Sequence, residues 1–357
     1  MTSPSRLSRL RQRMRSAGLD ALLVSSPSDV RYLTGFTGSN ALAIVRRRSL
    51  TLVTDTRYAL QSSIEARGIR RIISRDSLAE AAATARALDG LRAVGFEAQH
   101  VTYAQYRQLR RLFPRIEFRS TADIVEDVAT VKDRAEVRAI RRAVAVTDAV
   151  FSELLPLLKP GVTELDIAAE ISYRHRRHGA ARDSFEPIVV SGDRGALPHG
   201  RATDRRIRKG ELVTMDFGCV ADGYCSDLTR TVAIGRPAQE QRRAYEIVLE
   251  AQAAAIDAAR PGMLGRDLDT VARIHIGRAG YGKYFNHSLG HGIGLRIHER
   301  PRISVASRDR LRPGNVITIE PGVYVPGRWG LRIEDDVLIT AAGCTVLTAS
   351  PKHLIIL

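Results

Sequence analysis

At 357 residues, with 44% hydrophobic and 26% charged residues, the chain is long enough for two domains with full cores, and its balance excludes a disordered polymer. Five arginines by Arg15 and no long apolar run near the start argue against a secretory signal or a membrane span, so a cytoplasmic protein is expected. The formal net charge of +16 raises nucleic acid as a partner, but the arginines are spread along the chain with few aromatics beside them, so the excess reads as a solvated surface and no nucleic acid is expected.

Leu7, Leu10 and Met14 share one helical face, Gly18 stops that helix, and residues 21–24 follow as a short apolar strand. Strand-like runs at 41–45, 51–54, 71–73 and 92–96, separated by turns or by helical stretches at 78–88 and 103–112, predict an α/β domain with no obvious catalytic cluster. The pattern changes between 122 and 132, which predicts an N-terminal domain over 1–127 and a second domain over 128–357. There a charged, Ala-rich helix over about 133–158 ends at Lys159, Pro160 and Gly161, and Thr163 caps a further helix with Asp166 three residues on, closed by Gly179. Cys219, Cys225 and Cys344 form no CxxC pair and are odd in number, so they read as buried structural thiols.

A weak internal repeat organises the second domain. Lys159, Pro160, Gly161, Asp166 and Ile167 recur as Arg260, Pro261, Gly262, Asp267 and Leu268, an offset of 101 from 159 to 260. Gly210, Leu212, Val213, Thr214, Met215 and Asp216 recur as Gly314, Val316, Ile317, Thr318, Ile319 and Glu320, an offset of 104 from 216 to 320. Two such halves, each ending an apolar strand on a carboxylate, place Asp216 and Glu320 near a pseudo-twofold axis, where a metal pair could be shared.

Asp222 and Gly223 predict a tight hairpin turn between the strands 212–216 and 224–234. That register sets Asp216 opposite Thr229 and turns Asp227 to the same face, at a diagonal of roughly 7–8 Å between backbones. Two inward carboxylates on an apolar hairpin repel each other and call for a cation. Glu320 closes the run 316–319, and Glu334 is expected in the middle of a strand over 331–339, where only the company of the other carboxylates turns it inward. Glycines at 290, 292 and 294 oppose a helical zinc pair of His287 and His291, and no strand-turn-helix context supports a dinucleotide loop. They let the backbone run close to a ligand and aim His291. Four oxygen donors with one imidazole suit manganese, cobalt or zinc better than a thiolate-seeking ion.

Residues 184–199 (SFEPIVVSGDRGALPH), 213–231 (VTMDFGCVADGYCSDLTRT), 287–301 (HSLGHGIGLRIHERP) and 319–335 (IEPGVYVPGRWGLRIED) resemble the pita-bread metallopeptidases, and within them the Xaa-Pro peptidases, aminopeptidase P and prolidase. Residues 31–40 (RYLTGFTGSN) and 54–58 (TDTRY) resemble the non-catalytic domain of the same enzymes. The resemblance implies a creatinase/prolidase-like α/β N-terminal domain and an α+β pita-bread C-terminal domain of the creatinase/methionine aminopeptidase kind, with a pseudo-twofold repeat. It implies two divalent metal ions, manganese before cobalt or zinc, with Asp227 and Glu334 bridging, Asp216 on one ion, and His291 and Glu320 on the other. It makes Glu320 the proton acceptor, His199 and His298 the histidines that orient the substrate, and Arg332 the arginine beside the last ligand. Small peptides with proline at the second position are the implied substrates, cut by a homodimeric exopeptidase. The five ligands disfavour a creatinase-like reading or a non-catalytic binding protein, and the large N-terminal domain disfavours a methionine aminopeptidase. The 287–295 stretch and the chain length lean toward prolidase, while 31–40 and 54–58 lean toward aminopeptidase P.

Overall fold

The computed structural model describes residues 4–357, and the chain forms two compact units, Met1–Ala129 and Thr130–Leu357. The division falls two residues beyond the boundary expected from the change of sequence pattern.

In the first unit α1 (Pro4–Ser16) stops ahead of Gly18, whose φ of +66° no β-carbon-bearing residue adopts readily. There follow β1 (Ala21–Val24), α2 (Pro27–Thr34), β2 (Ala41–Arg46), β3 (Leu50–Asp55), α3 (Ala59–Glu65), β4 (Arg70–Ser74), α4 (Leu78–Thr84), β5 (Ala93–Glu97), α5 (Tyr103–Leu112), β6 (Glu117–Thr121) and α6 (Glu126–Ala129). The strands form one sheet in the order β4-β3-β2-β1-β5-β6, antiparallel across β1, β2 and β3 and parallel elsewhere. Leu23, Ile44, Val53, Val94 and Phe96 fill its core with Leu109, Phe113 and Phe118. The helix expected over 78–88 ends at Thr84 instead, because Arg86 takes a positive φ of 54° and turns the chain.

The second unit opens on α7 (Arg134–Leu154), capped by Asp133 and Glu136, and α8 (Glu164–Arg177), capped by Thr163 and Asp166. The chain continues through β7 (Arg182–Asp183), β8 (Ile188–Ser191), β9 (Leu212–Phe217), β10 (Cys219–Ala221), β11 (Tyr224–Cys225), β12 (Leu228–Ala233), α9 (Gln239–Ala258), α10 (Gly265–Arg278), β13 (Gly290–Gly292), β14 (Glu299–Ile303), β15 (Val316–Ile319), β16 (Gly322–Val325), β17 (Trp329–Arg332), β18 (Asp335–Ile339) and β19 (Cys344–Val346). The sheets run β12-β9-β8 and β14-β13-β15-β18-β19, with β11-β10-β7 and β16-β17 as smaller ribbons.

The repeat read from the sequence is a repeat of backbone. Gly161 N–H donates to Ile207 O at 2.9 Å and Ile207 N–H to Val162 O at 2.9 Å; Gly262 N–H donates to Leu311 O at 2.8 Å and Leu311 N–H to Met263 O at 2.9 Å. Gly210 and Gly314 both hold φ at 89°. Each half has its own core: Phe151, Ile171, Val213 and Met215 in the first, Val248, Leu268, Ile317 and Val337 in the second.

Candidate metal centre

Asp222 and Gly223 hold φ of 51° and 85°, the conformation of a type I′ turn, and Ala221 pairs with Tyr224. Counting outward, Asp216 faces Thr229 as the turn predicts. The returning strand is not continuous, however. A β-carbon on Gly218 would lie 1.9 Å from Ser226 O, so the two chains cross too tightly there for an ordinary ladder, and the strand breaks at Ser226 and Asp227 between β11 and β12. Asp227 therefore leaves the ladder, and its N–H donates to Asp336 Oδ2 at 3.0 Å.

Glu334 departs from expectation in a similar way. It stands between β17 and β18, at the point where the chain passes from pairing with Gly322 to pairing with Ile319, and not in mid-strand. Only 1% of it is exposed. Its N–H donates to Thr229 O at 3.1 Å, and its Oε2 accepts from Thr229 Oγ1 at 2.6 Å. Thr318 Oγ1 donates to Glu320 Oε1 at 3.2 Å and accepts from the His291 N–H at 3.1 Å.

His291 is the central residue of β13, between two glycines that each run against backbone: β-carbons on Gly290 and Gly292 would lie 2.1 Å from Thr318 O and 2.2 Å from Arg300 O. Its Nδ1 lies 3.1 Å from Gly292 O, a partner that only an N–H can satisfy, so Nε2 carries the lone pair. That Nε2 lies 3.4 Å from Glu320 Oε1 and 3.6 Å from Asp227 Oδ2. Burial, aided by His298, pushes the imidazole down to about 3, so it is neutral at pH 7.

The carboxylates are strained electrostatically in the opposite sense. Burial and then Glu334 raise Asp227 well above the usual carboxylate range; burial and then Glu320 do the same to Glu334; burial pushes Glu320 up to about 8. Asp216 Oδ1 and Asp227 Oδ1 are buried without a hydrogen-bond partner. Asp227, His291 and Glu334 offer donor atoms all within 4.8 Å of one another. Orphaned anionic oxygens, mutual repulsion and a free imidazole lone pair are the donor chemistry of a divalent cation site, and the residues fit one. A second carboxylate group, Asp29, Glu97 and Glu126, lies in the first unit and carries no imidazole.

Arg332, 2% exposed, is the one cation within this cluster among the described residues. Its guanidinium donates to Asp216 Oδ2, to Thr229 Oγ1 at 3.0 Å, to Tyr324 OH at 2.6 Å and to Pro198 O at 3.2 Å. His298 packs its ring against His291, centroids 4.3 Å apart, and His199 occupies an exposed turn close enough to bear on the charge of His298. Asp227, His291 and Glu334 thus lie together, with Glu320 beside His291, Asp216 and Arg332 joined to each other, and His298 stacked on His291; His199 lies at the exposed edge. Sequence reasoning passed over Tyr324, which also sits 3.0 Å from His287 Nε2, and over Thr229, Thr318 and Asp336 as partners. A hairpin register across 326–328 would have found Tyr324, since it sets Gly322 opposite Arg332 and Tyr324 two residues along on the same face.

The sequence matches Metallopeptidase family M24 over residues 138–341 and the Creatinase/Prolidase N-terminal domain over residues 6–129. It is 37% identical over 339 residues to the Xaa-Pro dipeptidase of Pyrococcus horikoshii, covering 94% of this chain and 95% of that one. The fold superposes on a solved Xaa-Pro dipeptidase from Bacillus anthracis with a TM-score of 0.95 at 39% identity, covering 99% of both chains. An X-Pro aminopeptidase from Thermotoga maritima superposes with a TM-score of 0.91 at 35% identity, covering 97% of this chain and all 100% of the other.

Proposed function

Because the chain belongs to metallopeptidase family M24 and carries the family's creatinase/prolidase-type N-terminal domain on a pita-bread catalytic domain, we propose that it is a dinuclear-metal exopeptidase hydrolysing Xaa-Pro bonds, with Xaa-Pro dipeptides as its substrates. Asp216, Asp227, His291, Glu320 and Glu334 are the residues that would hold two divalent ions, manganese before cobalt or zinc. The observation that carries this reading is the concentration of three buried carboxylates, Asp216, Asp227 and Glu334, and the partly buried Glu320 around one neutral imidazole, with Arg332 as their single counter-charge among the described residues.

Divalent ions held there would supply an acidified water and an electrophile for the scissile carbonyl. The chain's own residues do the rest. Glu320, ionised beside bound metal and with Oε1 3.4 Å from His291 Nε2, is the group placed to take the proton from the attacking water. His298 and His199 orient the substrate and donate to the oxygen that gains charge. Arg332 holds Asp216 and the Tyr324 hydroxyl in one geometry.

The same reading makes the protein a cytoplasmic homodimer; no described helix is long and apolar enough to cross a membrane. The decisive experiment compares Xaa-Pro with Xaa-Pro-Xaa hydrolysis by manganese-loaded protein. Preferential cleavage of the dipeptide supports the proposal, preferential cleavage of the tripeptide makes it an aminopeptidase, and no cleavage of either, with Asp227→Ala indistinguishable from wild type, refutes it.

A further inference from the structure

The two halves of the catalytic domain can be laid over one another pair by pair. The ladder that sets Asp216 opposite Thr229 sets Thr214 opposite Thr231 two residues deeper; the ladder of the second half sets Thr318 opposite Asp336, two residues deeper than Glu320 and Glu334. Thr214 and Thr318 are related by the repeat offset, and Thr231 corresponds to Asp336. The backbone confirms the match. Thr231 Oγ1 accepts the N–H of Arg332 at 3.2 Å, and Asp336 Oδ2 accepts the N–H of Asp227 at 3.0 Å, each reaching across to the other half. In the first half the deeper pair is two hydroxyls 3.0 Å apart. In the second, one hydroxyl has become a carboxylate that is fully buried, with Oδ1 lacking any partner.

A buried carboxylate at a position where the sister half manages with threonine is costly, and the neighbouring ligands give it a use. We propose that Thr318 and Asp336 act as one positioning pair that fixes three of the five ligands. Asp336 anchors Asp227 through its backbone N–H. Thr318 anchors His291 through its backbone N–H and Glu320 through its carboxylate. Neither side chain is a ligand; both act through one, as outer partners of metal ligands do. The inference rests on the ligand set of the proposed function. With Asp227 shared between both ions and His291 and Glu320 on one, as expected from the sequence, the two members of the pair have different signatures.

The test is manganese titration of the full-length protein against a chromophoric chelator, with kcat measured at saturating manganese and the thermal midpoint of the metal-free protein measured alongside. Asp336→Ala weakens both manganese equivalents about 10–100-fold, and Thr318→Val weakens one of them by a similar factor. Asp336→Asn and Thr318→Ser, which keep the acceptor oxygen and the hydroxyl, recover most of the affinity. The metal-free midpoint separates lost affinity from lost folding. The pair is ruled out if folded Asp336→Ala and Thr318→Val bind manganese as wild type does, or if the Asn and Ser variants fare no better than Ala and Val. Wild-type protein that binds no manganese overturns the ligand assignment and this inference with it, whereas normal wild-type binding with silent variants overturns the inference alone.

Discussion

Stripping metal from this protein should make its stability fall as pH rises, and Glu320 sets the window. Burial, reinforced by Asp216 and opposed by Arg332 and Thr318, pushes the Glu320 carboxyl from its ordinary 4.5 up to about 8 in the metal-free protein. A group whose pKa is higher in the native than in the unfolded state holds its proton more tightly when folded. Its stabilising contribution is complete below pH 4.5 and is lost as pH climbs through 8. A shift of about 3.5 units at ~1.4 kcal/mol each amounts to about 5 kcal/mol. For a unit of this size that is a fall in Tm of about 10–20 °C. Asp227 and Glu334 move in the same direction, through burial and their repulsion of neighbouring carboxylates, and steepen the slope. Bound manganese favours the ionised forms and removes the fall. Circular-dichroism melts at pH 5, 6, 7 and 8, in chelator and in manganese, measure both profiles. Glu320→Gln keeps the shape of the side chain and cannot titrate, so its metal-free profile should be visibly flatter than wild type. Parallel wild-type and Glu320→Gln profiles in chelator, or a wild-type midpoint that rises with pH, would show that Glu320 is not held as a protonated, uncompensated acid.

Three further outcomes are expected. His291 has no counterpart in the other half, so His291→Ala should weaken one manganese equivalent and spare the other; a titration in which both equivalents bind as in wild type contradicts this. Arg332→Lys should keep the manganese stoichiometry but lower kcat/KM on an Xaa-Pro dipeptide about 100-fold, because a single ammonium cannot reach Asp216, Thr229 and Tyr324 together as the guanidinium does. Burial pushes the Cys225 thiol up to about 12 and raises Cys219 as well, so a thiol reagent at pH 8 should titrate at most Cys344 in native protein and all three cysteines after denaturation.

Much of the fold was legible because its signals are local. The capping box at Thr163 and Asp166, the glycine after each repeat helix and the type I′ turn at Asp222 and Gly223 act within a few residues, and the turn alone set the Asp216–Thr229 register. What stayed hidden depends on where a strand leaves one sheet for another. Nothing in the run 224–234 announces that Asp227 steps out of the ladder, since the cause is the close crossing of Gly218, four residues before the turn, over Ser226, three residues after it. Glu334 likewise looks like an interruption of one apolar strand and is in fact the joint between two. Tyr324 carries no charge, so no electrostatic conflict marked it, and its value comes from contacts with Arg332 across the β16–β17 ribbon and with His287.

The pseudo-twofold relation also explains why the centre is asymmetric. Across it, Asp216 corresponds to Glu320, Thr229 to Glu334, and Asp227 to Arg332, as the reciprocal bonds of Thr231 and Asp336 require. Only the first of these pairs conserves charge. The second sets a hydroxyl against a carboxylate, and the two are hydrogen-bonded to each other at 2.6 Å across the axis. The third sets a carboxylate against a guanidinium. A symmetric version with acids at all six positions would bury six like charges; one with arginines at both mates of the third pair would expel a cation. The observed assortment leaves four carboxylates and one guanidinium, three net negative charges, which two divalent ions and one hydroxide would neutralise. Asp227→Arg, which symmetrises the third pair, should therefore abolish manganese binding altogether, and retention of even one equivalent would show that the charge balance of the third pair does not govern the site.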